Sequence, residues 1–457
     1  MFNTVRYYQL GVKPPEYWEL TVQVNDSEDF ALNIFSGDSV DLTFDWGDSS
    51  TDTYNTTGVK THTYTTGGTY VVKVRGSLGA NGNIRQVTTA SIPERVISTS
   101  AIKGITGIAN FRDTFRRTSI TTVPSETFAE YTDVTEDAFF GTFRDSAITT
   151  VPSDIFAQSV DVTVNAFRET FRGSQLTTIP SNLFQFNTLV NVSAFRGTFM
   201  DCSDVTAIPS GLFDTNTSVS SFGFASCFEG TSVTVIPSGL FDNNTLVGEA
   251  GFSYTFKDSN VSTIPANLFD NNTASVLAFF GGTFVGTPIT TIPTGLFDFN
   301  TGVTEEAFLE TFSNCSLLTS IPAGLFDNNT SVSVGGFFAT FSGCSELATL
   351  PDNLFANNLQ VSGISPNLGG FRSTFEGCNK LTLKNNIFGN LATVFVDRTI
   401  SFQNCFRLTG TFTGSQGTAP ELWTADFGTG TTEEVGCFNG HGTGSLTNFA
   451  SIPAGWL

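Results

Sequence analysis

The stretch Leu318–Ser345, LTSIPAGLFDNNTSVSVGGFFATFSGCS, holds one full period of the chain and decides its fold. It opens with LTSIP, a short β-branched run that reads as a strand. Pro322 has no N–H to give a ladder, so the strand is predicted to stop there. GLFDNNTS follows, rich in the Gly, Asp and Asn that turns require. Val332, Gly336, Phe337 and Phe341 then fall at i, i+4, i+5 and i+9, one face of a short amphipathic helix. The unit is predicted to run strand, turn, helix.

Outward from this unit the same pattern recurs. Prolines stand at 124, 152, 180, 209, 237, 265, 293, 322 and 351, in steps of 28 or 29, with a Phe four residues after each. A second Phe series includes Phe143, Phe171, Phe199, Phe256, Phe284, Phe312 and Phe341, and a third lies four residues before it. One unit cannot bury three phenylalanines alone, but stacked units can. These seven residues are predicted to form the structural core, each burial contributing roughly 1.5–3 kcal/mol. Strands of successive units are predicted to pair in parallel about 4.8 Å apart. The period lies at the long end of leucine-rich-repeat lengths. The expected fold is an α/β repeat solenoid, leucine-rich-repeat-like, with a parallel sheet and short helices in coils of 28–29 residues.

Composition narrows the function. The 457 residues carry 42 acidic against 21 basic side chains, a net charge of −21. That balance argues against nucleic acid, which is bound through stripes of Lys and Arg, and against anionic membrane surfaces. The 47 phenylalanines mark a folded protein, since acidic disordered chains are poor in aromatics. No apolar run of about 20 residues occurs, so no membrane insertion by a helix is predicted. The N-terminus, MFNTVRYYQLGVKPPEYWEL, lacks the charged and apolar regions of a secretory signal. Seven cysteines, with no CxxC, are neither a disulfide framework nor a zinc site.

The units IPSGLFDNNT, IPAGLFDNNT and AFxxTFxxC resemble the bacterial BspA-like leucine-rich repeats, found in surface proteins and in phage-encoded proteins. The resemblance covers about 101–410. The end segment, with APELW at 419–423 and ASIPAGWL at the close, resembles the way such arrays end. DLTFDWGDSSTDT at 41–53 and HTYTTGGTYVVKV at 62–74 resemble a PKD-type β-sandwich, with Ser49 where that family often has Gly. Val72 and Val74 alternate with Lys73 and Arg75, as in a half-buried strand. The expected organisation is a lead or attachment segment at 1–15, a small all-β PKD-like sandwich at 16–80, a linker or N-terminal cap at 81–100, the solenoid at 101–410 and a C-terminal cap at 411–457.

If the Ile or Val before each proline points inward, the preceding residue points outward. That column contains Thr122, Thr150, Thr178, Thr263, Thr291, Ser320 and Thr349, interrupted by Ala207 and Val235. It reads either as a hydroxyl row that contacts sugar or another regular surface, or as threonine suited to an exposed strand. Cys202, Cys315, Cys344 and Cys378 share a slot that elsewhere holds Ser146, Ser174, Thr231 or Ser259, which predicts a small weakly polar corner rather than a metal or disulfide. Asp214, Asp242, Asp270, Asp298 and Asp327 are expected to cap turns, since one carboxylate per coil is too few for calcium. Sequons at Asn216, Asn243, Asn271 and Asn328 are read as turn residues. Asp45, Asp48 and His62 are expected to be structural.

No GxSxG, HExxH or P-loop occurs, and the two histidines, His62 and His441, lie far apart. No enzyme, metal or cofactor is predicted. The expected function is recognition or display at a surface, in a phage fibre, appendage or capsid decoration. Its partners would be other virion proteins through the N-terminal part and a host glycan or protein. A homo-oligomer is left open. The alternatives are a bacterial cell-surface adhesin and a decoration protein without ligand.

Overall fold

The computed structural model describes residues 16–87, 95–274, 276–364, 368–410, 415–442 and 444–457. The expected attachment segment at 1–15 lies outside them. The chain divides into two compact units, Met1–Asn187 and Thr188–Leu457.

The first unit begins with an all-β part. Strands β1 (Trp18–Val24), β2 (Glu28–Ser36), β3 (Asp41–Asp45), β4 (Thr51–Tyr54), β5 (Gly58–Tyr64) and the long β6 (Gly68–Gln86) are joined by β7 (Val96–Thr99) and β8 (Ile105–Ile108). The first half of β6 pairs antiparallel with β1 and β3, and its last residues pair with β2, which also pairs β5. Val72 and Val74 are buried while Arg75 is exposed, so the alternation read in the sequence holds. Trp18, Phe30, Phe44 and Trp46 fill the core. The boundary expected at 80 falls inside β6. The segment expected as a linker instead supplies β7, which pairs with β1. Residues 82–86 also carry the first coil: Ala109 N–H donates to Gly82 O at 2.8 Å and Thr114 Oγ1 to Ile84 O at 3.1 Å.

In the coils the expected helices are absent. Among the described residues the only helical elements are three short 3₁₀ segments, Leu422–Thr424, Phe449–Ser451 and Ala454–Trp456. The Phe-bearing segment of each coil is a run of overlapping turns. Phe111, Asp113, Phe115 and Arg117 donate their N–H groups to Ala138, Phe140, Thr142 and Arg144 of the next coil. The N–H groups between them turn back: Thr114 donates to Phe111 O and Arg116 to Asp113 O. Alternate donors therefore serve the coil itself and its neighbour. An α-helix would spend every interior N–H within its own segment and leave nothing to stitch coils together. Every fourth residue has positive φ, as at Asp137 (52°), Gly141 (61°) and Asp145 (56°). This left-handed conformation breaks a helix and favours Gly, Asn and Asp.

The turn run keeps the burial that the helix reading assigned. Phe143 and Phe171 in the first unit, and Phe199, Phe256, Phe284, Phe312 and Phe341 in the second, are fully buried. Their rings stack from coil to coil, nearly parallel, with Phe284–Phe312 at 5.6 Å and Phe312–Phe341 at 5.5 Å. The Phe after each proline leans across both other columns, as Phe297 does on Phe308 (4.8 Å, 54°) and Phe312 (6.2 Å, 51°). Tilted and offset contacts of this kind suit the ring quadrupole.

The expected strands of the coils shrink to isolated parallel bridges. Val235–Thr263, Thr291–Ser320, Ser320–Thr349 and Thr349–Thr382 form such bridges in the second unit. The stack also runs past the boundary expected at 410. Phe438 stacks on Phe406 at 5.4 Å, and β9 (Ile400–Ser401) pairs in parallel with β10 (Thr432–Glu433). Trp456 then packs against Phe402 and Phe438, which closes the aromatic columns.

Candidate functional site: an exposed hydroxyl face

The proline-terminated segment places two residues per coil on the surface. Thr122, Thr150, Thr178, Thr263, Thr291 and Thr349 are exposed and Ser320 is half-buried, while the Ile, Val or Leu that follows is buried. The residue before each of them also faces outward, so strict alternation fails. The reason is that a one-residue bridge does not extend far enough to impose a pleat. The sequence reading missed this second column: Thr121, Thr149, Thr177, Thr206, Thr234, Ser262, Thr290 and Thr319. The repeated TT and ST pairs carried the signal.

The two columns differ chemically. Second-column residues stitch coils: Thr177 donates to Thr149 O through both its N–H (3.0 Å) and its Oγ1 (3.1 Å), and Thr319 does the same to Thr290 O at 3.2 and 3.3 Å. The seven hydroxyls named from the sequence make no side-chain hydrogen bond among the described residues, and each keeps a donor and acceptor for solvent or ligand. Val235, 59% exposed, and Ala207 interrupt the hydroxyl row in the second unit.

Other candidates resolve into structure. All seven cysteines are buried, and none is in a disulfide. Cys315 Sγ donates to Phe284 O of the preceding coil at 3.1 Å, and Cys344 does so to Phe312 O at 3.1 Å. Ser146, Thr231 and Ser259 instead bond the Phe carbonyl of their own coil. Burial pushes the Cys315 thiol up to about 12, which removes thiolate reactivity. Cys227, Cys405 and Cys437 occupy a different slot, directly before Phe228, Phe406 and Phe438. That slot holds Thr elsewhere, as where Thr283 Oγ1 donates to Phe252 O.

The sequons divide. Asn243, Asn271 and Asn328 are exposed turn residues, but Asn216 is fully buried in an asparagine ladder. Asn244 Nδ2 donates to Phe213 O (3.2 Å) and Asn216 O (3.0 Å), and Asn272 and Asn300 repeat the bond. The ladder satisfies carbonyls at a corner where the chain reverses. The spacing of Asn three residues after each post-proline Phe was its unread signature. The aspartate column lies at the same turns: Asp214, Asp242 and Asp327 donate N–H to Gly211, Gly239 and Gly324. No cluster of metal ligands occurs among the described residues.

In the all-β part His62 Nε2 lies 2.8 Å from Asp48 Oδ2, and its ring stacks on Trp46 at 4.9 Å. Tyr64 OH donates to Trp46 O. Asp48 is partly desolvated, which opposes its charge, but hydrogen bonds from Ser50 and His62 outweigh this and hold its carboxyl down to about 2. These groups lock the turn at Gly47, where a Cβ would approach Val71 O to 2.7 Å.

No protein-family model matches the chain, and no characterised protein matches it in sequence. Among solved structures, the chain is similar to one in the Toll–Spatzle complex of Drosophila, at 16% identity over 55% of this chain and 36% of that one, with a TM-score of 0.28. It is also similar to the TLR13–ssRNA13 complex, at 10% identity over 64% of this chain and 45% of that one, with a TM-score of 0.30. The chain thus spans less than half the length of either. The repeat solenoid rests on the coil geometry itself.

Proposed function

We propose that the chain recognises a surface by contact, without chemistry, through the exposed hydroxyl face of its coils. The observation that carries this reading is two rows, Thr122, Thr150 and Thr178 in Met1–Asn187 and Thr263, Thr291, Ser320 and Thr349 in Thr188–Leu457, whose hydroxyls the protein itself leaves unused. Donors and acceptors that recur once per coil within each unit suit the hydroxyl-rich surface of a glycan, where contacts repeat from sugar to sugar. Repetition also spreads the same chemistry over many coils, which favours broad contact over a single reacting centre.

The resemblance of the repeats to BspA-like units, and of residues 41–74 to a PKD-type module, supports display on a particle or cell. The setting we favour is a phage virion, with the N-terminal part attached to other virion proteins and the coils reaching the host. A bacterial surface adhesin and a decoration protein without ligand are the alternatives. The deciding experiment compares the full chain with a Thr150→Val/Thr178→Val/Thr263→Val/Thr291→Val variant on a glycan array and on host cells. Loss of binding by about tenfold or more with unchanged melting supports the hydroxyl face. Equal binding by both proteins rules that face out, and no binding by either leaves decoration as the function. Mass spectrometry of purified virions tests the setting, and absence of the chain there removes the phage assignment.

A further inference from the structure

The acidic chain carries a basic cluster on the turn runs of the first coils in Met1–Asn187. Arg116, Arg117 and Arg144 lie 3.8, 3.7 and 3.9 Å from a shared Asp145. Arg144 also reaches Glu169 at 2.7 Å, where Arg172 (3.6 Å) and Arg168 (3.9 Å) converge. Arg112 pairs with Asp137 at 3.0 Å. These six guanidiniums surround three carboxylates, and a further pair, Arg85 and Asp113 at 3.5 Å, borders them, on a chain whose net charge is −21. Burial first, and then the positive charge of Arg144, hold the Arg116 guanidinium below its ordinary range against the attraction of Asp113 and Asp145. Arg117 and Arg112 remain 48% and 41% exposed, open to a partner.

We infer that this row binds an acidic polysaccharide bearing one carboxylate per monomer. Guanidinium forks match carboxylates in two-point hydrogen bonds. Arg116, Arg144 and Arg172 recur once per coil, beside Phe115, Phe143 and Phe171, whose rings step 5.5 and 5.6 Å apart. An extended polymer with one charge per sugar meets such a row repeatedly. Duplex nucleic acid carries a charge about every 1.7 Å and would press a far denser field against an acidic body.

The test uses the full chain and polygalacturonate at low salt, with fully methyl-esterified polymer as the neutral control and polyphosphate and duplex DNA as competing anions. Expected is binding to polygalacturonate alone, weakening as NaCl is raised. Arg116→Gln/Arg117→Gln should weaken it by about tenfold or more, while the charge-retaining Arg116→Lys/Arg117→Lys keeps most of it. If the glutamine variant melts early, the lysine variant set against Arg117→Gln alone gives the same comparison. The hydroxyl-face variant should bind polygalacturonate as the parent does, so failure of either surface is separately visible. No binding to polygalacturonate, equal binding to the esterified polymer, stronger binding to polyphosphate or DNA, or indifference to the arginine changes would each overturn the inference.

Discussion

Ser49 sits at φ +78° in the turn after Trp46, and an L side chain there costs about 1–2 kcal/mol relative to its usual conformations. Glycine carries no such cost, although it loses more freedom on folding. Ser49→Gly is therefore expected to raise stability by a few tenths to about 1 kcal/mol, read as a shift of the denaturant midpoint at constant slope. The converse holds at Gly343, φ +75°, where an added Cβ would meet the Asn314 side chain. Gly343→Ala is expected to destabilise by more than about 1 kcal/mol. A destabilising Ser49→Gly would mean that the serine hydroxyl contributes more to the turn than its backbone costs. Both positions were visible as sequence: Ser49 stood out against the Gly expected in a PKD-type turn, and Gly343 lies in SGC. Their sign of φ was not visible, because Gly, Asp and Asn at a segment's end fit a helix stop as well as a turn.

At the scale of the element, the same ambiguity explains why the helix expectation failed while the burial expectation held. Val303, Ala307, Phe308 and Phe312 are all buried, as one helical face would be. Four-residue spacing is shared by an α-helix and by turns that reverse φ every fourth residue, so apolar periodicity alone cannot separate them. What separates them is where the alternate N–H groups go, and that depends on a neighbouring coil that one segment's pattern does not contain. Stacking has a cost in the aspartate column, where identical charges fall in register. Burial, and then the charges of Asp242 and Asp298, raise the Asp270 carboxyl above its ordinary value. The folded state thus holds that proton more tightly than the unfolded chain does. Stability is lowest above the folded pKa, rises as pH falls through it, and has its full gain below the unfolded value near 3.8. Asp270→Asn should add roughly 0.2–1 kcal/mol at neutral pH and low salt, and high salt should erase most of that gain. Thermal melts of both proteins with and without added salt give the answer. A loss of stability in the variant would show that repulsion in this column does not limit stability.

For the whole molecule, the columns make the coil a unit that can be removed. Ala278 and Glu306 occupy equivalent positions one coil apart, both left-handed, at φ 52° and 53°. Ala278 donates to Glu305 O and Glu306 to Val334 O, so the coil before and the coil after make the same bonds. Excising residues 278–305 would place Glu306 where Ala278 stood and restore every column: Phe308 for Phe280, Phe312 for Phe284, Ser320 for Thr291, Asn329 for Asn300. Because each coil touches only its neighbours, stability should fall only by about one coil's share, leaving a cooperative melt and a monodisperse protein. Deleting half that length, residues 278–291, removes the same kind of residues but drives turn residues into the Phe columns and hydroxyls into the core. That protein should not fold. Circular dichroism melts and size-exclusion chromatography of the two deletions separate the cases. If both deletions fold, the columns do not set the register. If neither folds, coupling in Thr188–Leu457 extends beyond neighbouring coils, and a core shared across many coils would have to replace the stack of repeated local contacts.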